Sequence, residues 1–388
     1  MSERNRCSVV MCFADGSTID TWHTLSLRDA FNDPLGQLDF ETFPPLRRFA
    51  EYKSKLAKGE FVTVYVNGVM QGGFAIETVE RTIDPKRGAG FKLTCKSPLI
   101  TPYQGHVDPD LALKADTDVP VGDMVLKAMA PYGFDEVRTD ARGAVNVLSG
   151  VAIGGGSNTI TSSKLKHRDA KAHENETAYQ FCARLLTRLG VVLRCMPTGE
   201  LLVCAPDYSG EVAYTVVQSR GGLIQGDYFI GPVTIRDTND DQFSECTVRG
   251  VRPDDGDSSN ARPIGRVTSA ELFPSRPAYT SRVAAYKPKI LKDTCSRDVE
   301  RAKSVAKLEL GLRAANAYTV SGEVDGWIST TKRIWTVNTM CRVYVELEEL
   351  DEPMYLLERT LTQDAKGGQR TSLKFIPSGA LVIGDVPK

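Results

Sequence analysis

Histidine is scarce in this chain, four residues in 388, and that shortage removes most of the usual catalytic vocabulary. Neither HExxH nor GxSxG occurs, which excludes the zinc-protease helix and the nucleophile elbow; a Ser/His/Asp grouping cannot be read from spacing among so many serines. No CxxC is present either: the nine cysteines, at 7, 12, 95, 182, 195, 204, 246, 295 and 341, are odd in number and scattered, without zinc-ribbon spacing. They read as buried reduced thiols acting as small hydrophobes, the other reading being oxidation of some pair after release from the cell. No apolar run approaches the ~18 residues that span a bilayer. With a net charge of −1 and a pI near 6.5 there is no basic excess for nucleic acid or an anionic membrane. The amino terminus, MSERNRCSVVMCFADG, reaches Asp15 too early for a signal peptide's apolar core, so synthesis in the cytoplasm is expected.

Local motifs add no chemistry. Residues 150–158, GVAIGGGSN, lack the Lys-Ser/Thr of a phosphate-binding loop and read as a flexible connection. His167 and His173 lie six apart in KLKHRDAKAHENE, a stretch so charged that a solvated linker is the simpler reading than a metal site. Asp254, Asp255 and Asp257 surround Gly256 without the alternating ligands and distal Glu of a calcium loop. The sequence therefore assigns no catalytic, cofactor-binding or metal-ligating residue and implies no cofactor.

What is present is an ordinary globular composition, 41% hydrophobic and 25% charged, on a chain long enough for two to four domains. The expected fold class is mainly β with α+β insertions, comprising two related barrel-like domains and two smaller α+β domains. Residues 1–100 form the first barrel-like domain. Residues 101–210 form an α+β domain, 211–251 with 318–388 the second barrel-like domain, and 252–317 an inserted loop and helix. Asn67-Gly68 between two β-rich runs predicts a type I′ hairpin, because that turn needs positive φ at both central positions. Glu176-Thr177 opens a predicted helix whose apolar face is Ala178, Phe181, Cys182, Leu185, Leu186 and Leu189, closed by Gly190. A second long helix is predicted over 296–317, facing inward through Val299, Ala302, Val305, Ala306 and Leu310. Trp327 and Trp335 are expected in a barrel core and at its rim.

Two segments 278 residues apart echo one another. Residues 61–96 and 341–375 each read as a β-meander, with ERTI at 80–83 answered by ERTL at 358–361. Each then has a loop containing an Asp and a Lys followed by two glycines. The shared order of elements suggests an internal duplication suited to presenting repeated units around a ring.

The combination ENETAYQFCARLLTRLGVVLRCMPTGELLV, then DGW…IWTVN, then YLLERTLTQDAKGGQRTSLKF resembles the baseplate hub proteins of contractile phage tails. This is the late-control protein D group, related to the amino-terminal part of type VI secretion spike proteins. The matching positions are Glu176 to Leu202, Gly326-Trp327, Trp335 with Asn338, Asp364, Gly367-Gly368, Thr371 and Leu373. The resemblance implies a structural, non-enzymatic homotrimer in the virion's tail baseplate, presenting six similar units that adapt a sixfold tail tube to a threefold central spike. It implies as partners the spike, the tail tube or tube-initiator protein and other baseplate proteins. DNA or tape-measure protein would rest in a polar lumen without sequence-specific binding. Because the chain reaches Lys388 with no oligosaccharide-binding-type domain or β-helical repeat, the spike is expected on another polypeptide. A cell-wall hydrolase of the tail tip and an unrelated β-rich binding module are the alternatives.

Overall fold

A computed structural model describes residues 7–84, 88–108, 119–139, 164–165, 172–187, 191–208, 210–222, 224–251, 262–272, 286–293, 296, 299–364 and 368–381. The glycine-rich segment 150–158, Gly190, His167, Cys295 and the aspartates at 254, 255 and 257 lie outside them. The fold is mainly β, and its centre is one fourteen-stranded sheet. Seven strands come from the first quarter of the chain: β1 Val9–Phe13, β2 Thr18–Ile19, β3 Thr24–Ala30, β4 Asp33–Thr42, β5 Phe61–Val66, β6 Val69–Asp84 and β7 Gly88–Lys96. The other seven follow residue 213: β8 Tyr214–Gln218, β9 Asp227–Tyr228, β10 Thr234–Asp237, β11 Tyr318–Asp325, β12 Thr339–Val345, β13 Leu350–Asp364 and β14 Gly368–Pro377.

Alternation writes the inward face of each unit. In β1 and β5 every second residue is buried, Val9, Met11 and Phe13 against Val62, Val64 and Val66. The β5–β6 hairpin turns at Asn67 and Gly68, with φ of 49° and 77°, as the dipeptide predicts. The first core gathers Leu25, Leu27, Leu38, Phe40, Phe91 and Leu93, capped by Tyr52 and Leu56 at the helix Phe49–Lys55. The second gathers Val216, Val320, Val343, Leu356, Leu373 and Phe375.

Two smaller α+β bodies flank the sheet. In one, the helix Ala178–Thr187 buries Phe181, Cys182, Leu185 and Leu186 against the helix Val121–Met129 and the hairpin Val192–Cys195/Leu201–Cys204. Its start is a reciprocal capping box: the Gln180 amide donates to Thr177 Oγ1 at 3.1 Å, and the Thr177 amide to Gln180 Oε1 at 3.0 Å. In the other, the helix Val299–Ala317 covers a three-stranded sheet of Glu245–Arg249, Ile264–Thr268 and Pro288–Lys292. The strand Glu245–Arg249, expected in the second barrel-like domain, belongs to this sheet instead; its alternation marked a strand but carried no information about which sheet accepts it. Val299 likewise departs from expectation. It stands 44% exposed in the first turn, while Ala302, Ala306 and Leu310 are buried.

Candidate assembly interface

The two sets of seven strands repeat one another in chain order. From edge to edge the first runs β3-β4-β7-β6-β5-β1-β2 and the second β10-β11-β14-β13-β12-β8-β9. Each strand of one therefore has a counterpart seven places later in the other. The long hairpins agree in detail. Both close on an Asp–Gly pair, Asp84 with Gly88 and Asp364 with Gly368. Both carry a bulge seven residues before that Asp, at Glu77 and Leu357. One strand departs: β8 is parallel to β12, whereas β1 is antiparallel to β5.

This register corrects the spacing of the echo. The hairpin loops match at 280 residues, so the tetrapeptides at 80–83 and 358–361 lie two residues out of structural register. An even offset keeps each side chain on its face of the strand, but Glu80 is the counterpart of Thr360, not of Glu358.

The units join along one seam. β13 is long enough to pair β12 with its first half and β3 with its second, Glu358 opposite Ala30 through Asp364 opposite Thr24. Paired residues share a face, so the apolar rung Leu361–Leu27–Leu38–Cys95–Ile76 runs across the seam without interruption. The opposite face carries polar rungs beside the seam, Ser26–Asp39–Thr94–Thr78 and Thr24–Glu41–Lys92–Glu80. Arg28 locks the seam on that face, donating to Glu358 at 2.6 Å and to Asp33 at 2.9 Å.

A charge cluster built around one buried arginine backs the seam. Arg359, 4% exposed, donates through its terminal nitrogens to the Trp335 carbonyl and to Gln71 Oε1, and its Nε faces Asp29 at 3.8 Å. Burial holds its guanidinium below the ordinary value, with Asp29 pulling the other way. Arg194, from the α+β body, pairs with the same carboxylate and lies over the Phe31 ring. Three parts of the molecule thus meet on Asp29. Sequence reading missed this cluster, because its members are 165 or more residues apart; its one accessible trace was the Arg inside the 358–361 tetrapeptide. A cavity of about 620 Å³ opens beside it, but the lining arginines Arg28, Arg138 and Arg194 are already paired within the protein.

The tryptophans tie the two cores together. Both are fully buried, but Trp327, which follows β11, packs into the first unit's core and donates its indole N–H to the Thr362 carbonyl at 2.9 Å. Trp335 stays in the second core, its ring 4.5 Å from that of Tyr214. Of the remaining sequence candidates, His173 sits at the entry to the helix Ala178–Thr187, its amide donating to Glu176 Oε2 at 2.9 Å. Burial pushes the Cys95 thiol up to about 12 and that of Cys246 to about 11, which makes both poor nucleophiles. Among the described residues no cluster of His, Cys, Asp and Glu could hold a metal ion, and no helix is long and apolar enough to cross a membrane.

Two of the edges left open among the described residues correspond to the strands of the seam. β10 pairs only with β11, and its Thr234, Arg236 and Asp237 are exposed. The second half of β6 pairs only with β7, because β5 reaches no further than Ala75, and Glu80, Arg81, Thr82 and Ile83 are exposed. These are the counterparts of β3 and of the second half of β13, the two strands that form the seam.

No protein-family model matches the sequence, and comparison with the curated proteins gives no match. Solved structures do match. A tail protein from Neisseria meningitidis MC58 superposes with a TM-score of 0.73 at 18% identity, covering 98% of this chain and 99% of that one. The 43 kDa tail protein of prophage MuSo2 from Shewanella oneidensis gives 0.71 at 15%, covering 96% and 99%. A chain of the Francisella PdpA–VgrG complex gives 0.56 at 9%, covering 99% of this chain and 60% of that one. Over nearly its whole length, the chain has the fold of these two tail proteins and, less closely, of the matched chain of the PdpA–VgrG complex.

Proposed function

We propose that this chain is the structural baseplate hub of a contractile phage tail or tail-like particle, a homotrimeric ring that adapts the sixfold tail tube to the threefold central spike. The observation that carries the reading is the duplicated sheet: one chain offers two near-equivalent units, so three chains offer six. The seam inside the chain uses one pair of edges, and the matching pair is left open for neighbouring copies, which would both protect exposed edge strands and stop growth at a closed ring. The polar face would line the channel, where DNA or tape-measure protein could rest without sequence-specific contacts. The partners on this reading are the chain itself, the central spike, the tail tube or tube-initiator protein and other baseplate proteins. The site of action is the virion's tail baseplate, after synthesis in the bacterial host's cytoplasm.

The role is non-enzymatic. Purified protein incubated with peptidoglycan is expected to release no soluble fragments. Reproducible release that one Asp or Glu substitution abolishes would replace the hub with a cell-wall hydrolase.

A further inference from the structure

We propose that β10 of one copy pairs antiparallel with residues 79–83 of β6 in the next copy, with Arg236 standing directly opposite Glu80. This deepens the ring reading above and rests on it. The register comes from the chain itself. The rung Ser26–Asp39–Thr94–Thr78 of the first unit is matched in the second by Thr234–Ser321–Lys374–Glu358. In the seam inside the chain Ser26 faces Thr362. Their counterparts are Thr234 and Thr82, so the same geometry repeated between copies sets Thr234 opposite Thr82, Ile235 opposite Arg81 and Asp237 opposite Val79.

The sequence supports the equivalence independently of the pairing. Carrying β3 onto β10 in this register places Leu27-Arg28-Asp29 on Ile235-Arg236-Asp237, two identities beside a conservative Leu/Ile pair, in a register that the hydrogen-bond ladder alone selected. The chemistry agrees as well. Arg28 clamps the inner seam through a carboxylate on β13; Arg236 meets one on β6. Among the described residues Glu80 has one loose ionic partner, Lys92 at 3.9 Å, with both side chains more than 60% exposed. Asp237 falls diagonal to Arg81, within reach of a long side chain across an antiparallel pair. Ile83, 76% exposed, would be covered on the inward face where Ile235 enters. The occupant is a second copy of this chain, because the edge that fits residues 79–83 is the duplicate of the edge already seated on β13.

The test is disulfide trapping. Thr82→Cys and Thr234→Cys proteins, prepared separately, mixed and oxidised, are expected to give a band at twice the chain mass, since directly opposed residues of an antiparallel pair lie within disulfide reach. Thr82→Cys mixed with Ile235→Cys, one residue out of register and on the other face, is expected to give none, as is the parent with its native cysteines. Glu80→Arg or Arg236→Glu alone should weaken assembly at least tenfold, and the two together should restore it. A trimeric protein that does not cross-link at 82 and 234, or cross-links equally at 235, overturns this register while leaving the ring intact. A protein that stays monomeric at every concentration overturns the ring and the register together. Cross-linking of Thr82→Cys to a different tail protein in assembled particles would assign the edge to that partner instead.

Discussion

Asp29→Ala is expected to destabilise the protein by about 3 kcal/mol, the low end of the range for removing one partner of a buried ion pair because the Asp29 side chain is a quarter exposed, although it contributes no large apolar surface. Its carboxylate is the anion facing both Arg194 and the buried Arg359, whose terminal nitrogens are committed to the Trp335 carbonyl and Gln71. Removing it leaves two guanidinium groups in one poorly solvated place. Glu51→Ala is the control: Glu51 also pairs with two cations, Arg48 and Lys55, but on an exposed helix, where solvent screens such pairs and their loss is expected to change little. Urea melts of the two variants check the contrast. If Asp29→Ala melts like Glu51→Ala, the cluster does not hold the seam.

Trp327→Ala should cost about 3–5 kcal/mol, as large aromatic truncations do in a packed core, and should also uncouple the two units. The indole belongs by sequence to the second unit and by packing to the first, so its loss cuts one unit's hold on the other. Scanning calorimetry is expected to show the parent's transition broaden or split. The conservative changes sharpen the account. Trp327→Phe loses the bond to the Thr362 carbonyl as well as volume, whereas the Trp335 indole N–H has no hydrogen-bond partner among the described residues. Trp327→Phe should therefore be more costly than Trp335→Phe by about 0.5–1.5 kcal/mol. Equal costs would mean that the Thr362 bond contributes nothing net.

Features encoded within a few neighbouring residues were legible in the sequence. Asn67-Gly68 specified its turn, and the apolar positions from Ala178 to Leu186 specified a helix and its buried face. The duplication was visible in the sequence of the hairpin loops, where an Asp and a Lys are followed by glycines in both. Its register was not. The tetrapeptide match at 80 and 358 is two residues off, and the better match, Leu27-Arg28-Asp29 with Ile235-Arg236-Asp237, is too short to stand out until hydrogen-bond ladders align the strands. Pairing across sheets is decided by long-range packing, so neither the transfer of Glu245–Arg249 to the smaller sheet nor the reversed β8 could be read from alternation. The Asp29 cluster was hidden for the same reason, its charges being individually ordinary.

The most direct test of the central claim is the mass of the purified protein in solution, measured by sedimentation velocity or native mass spectrometry across a range of concentrations. The account predicts a discrete species at three times the 42.5 kDa chain mass, with no larger open-ended series, because a ring of six units built from three copies would leave no matching edge unpaired. A protein that remains a monomer, stops at a dimer or grows without limit would contradict it.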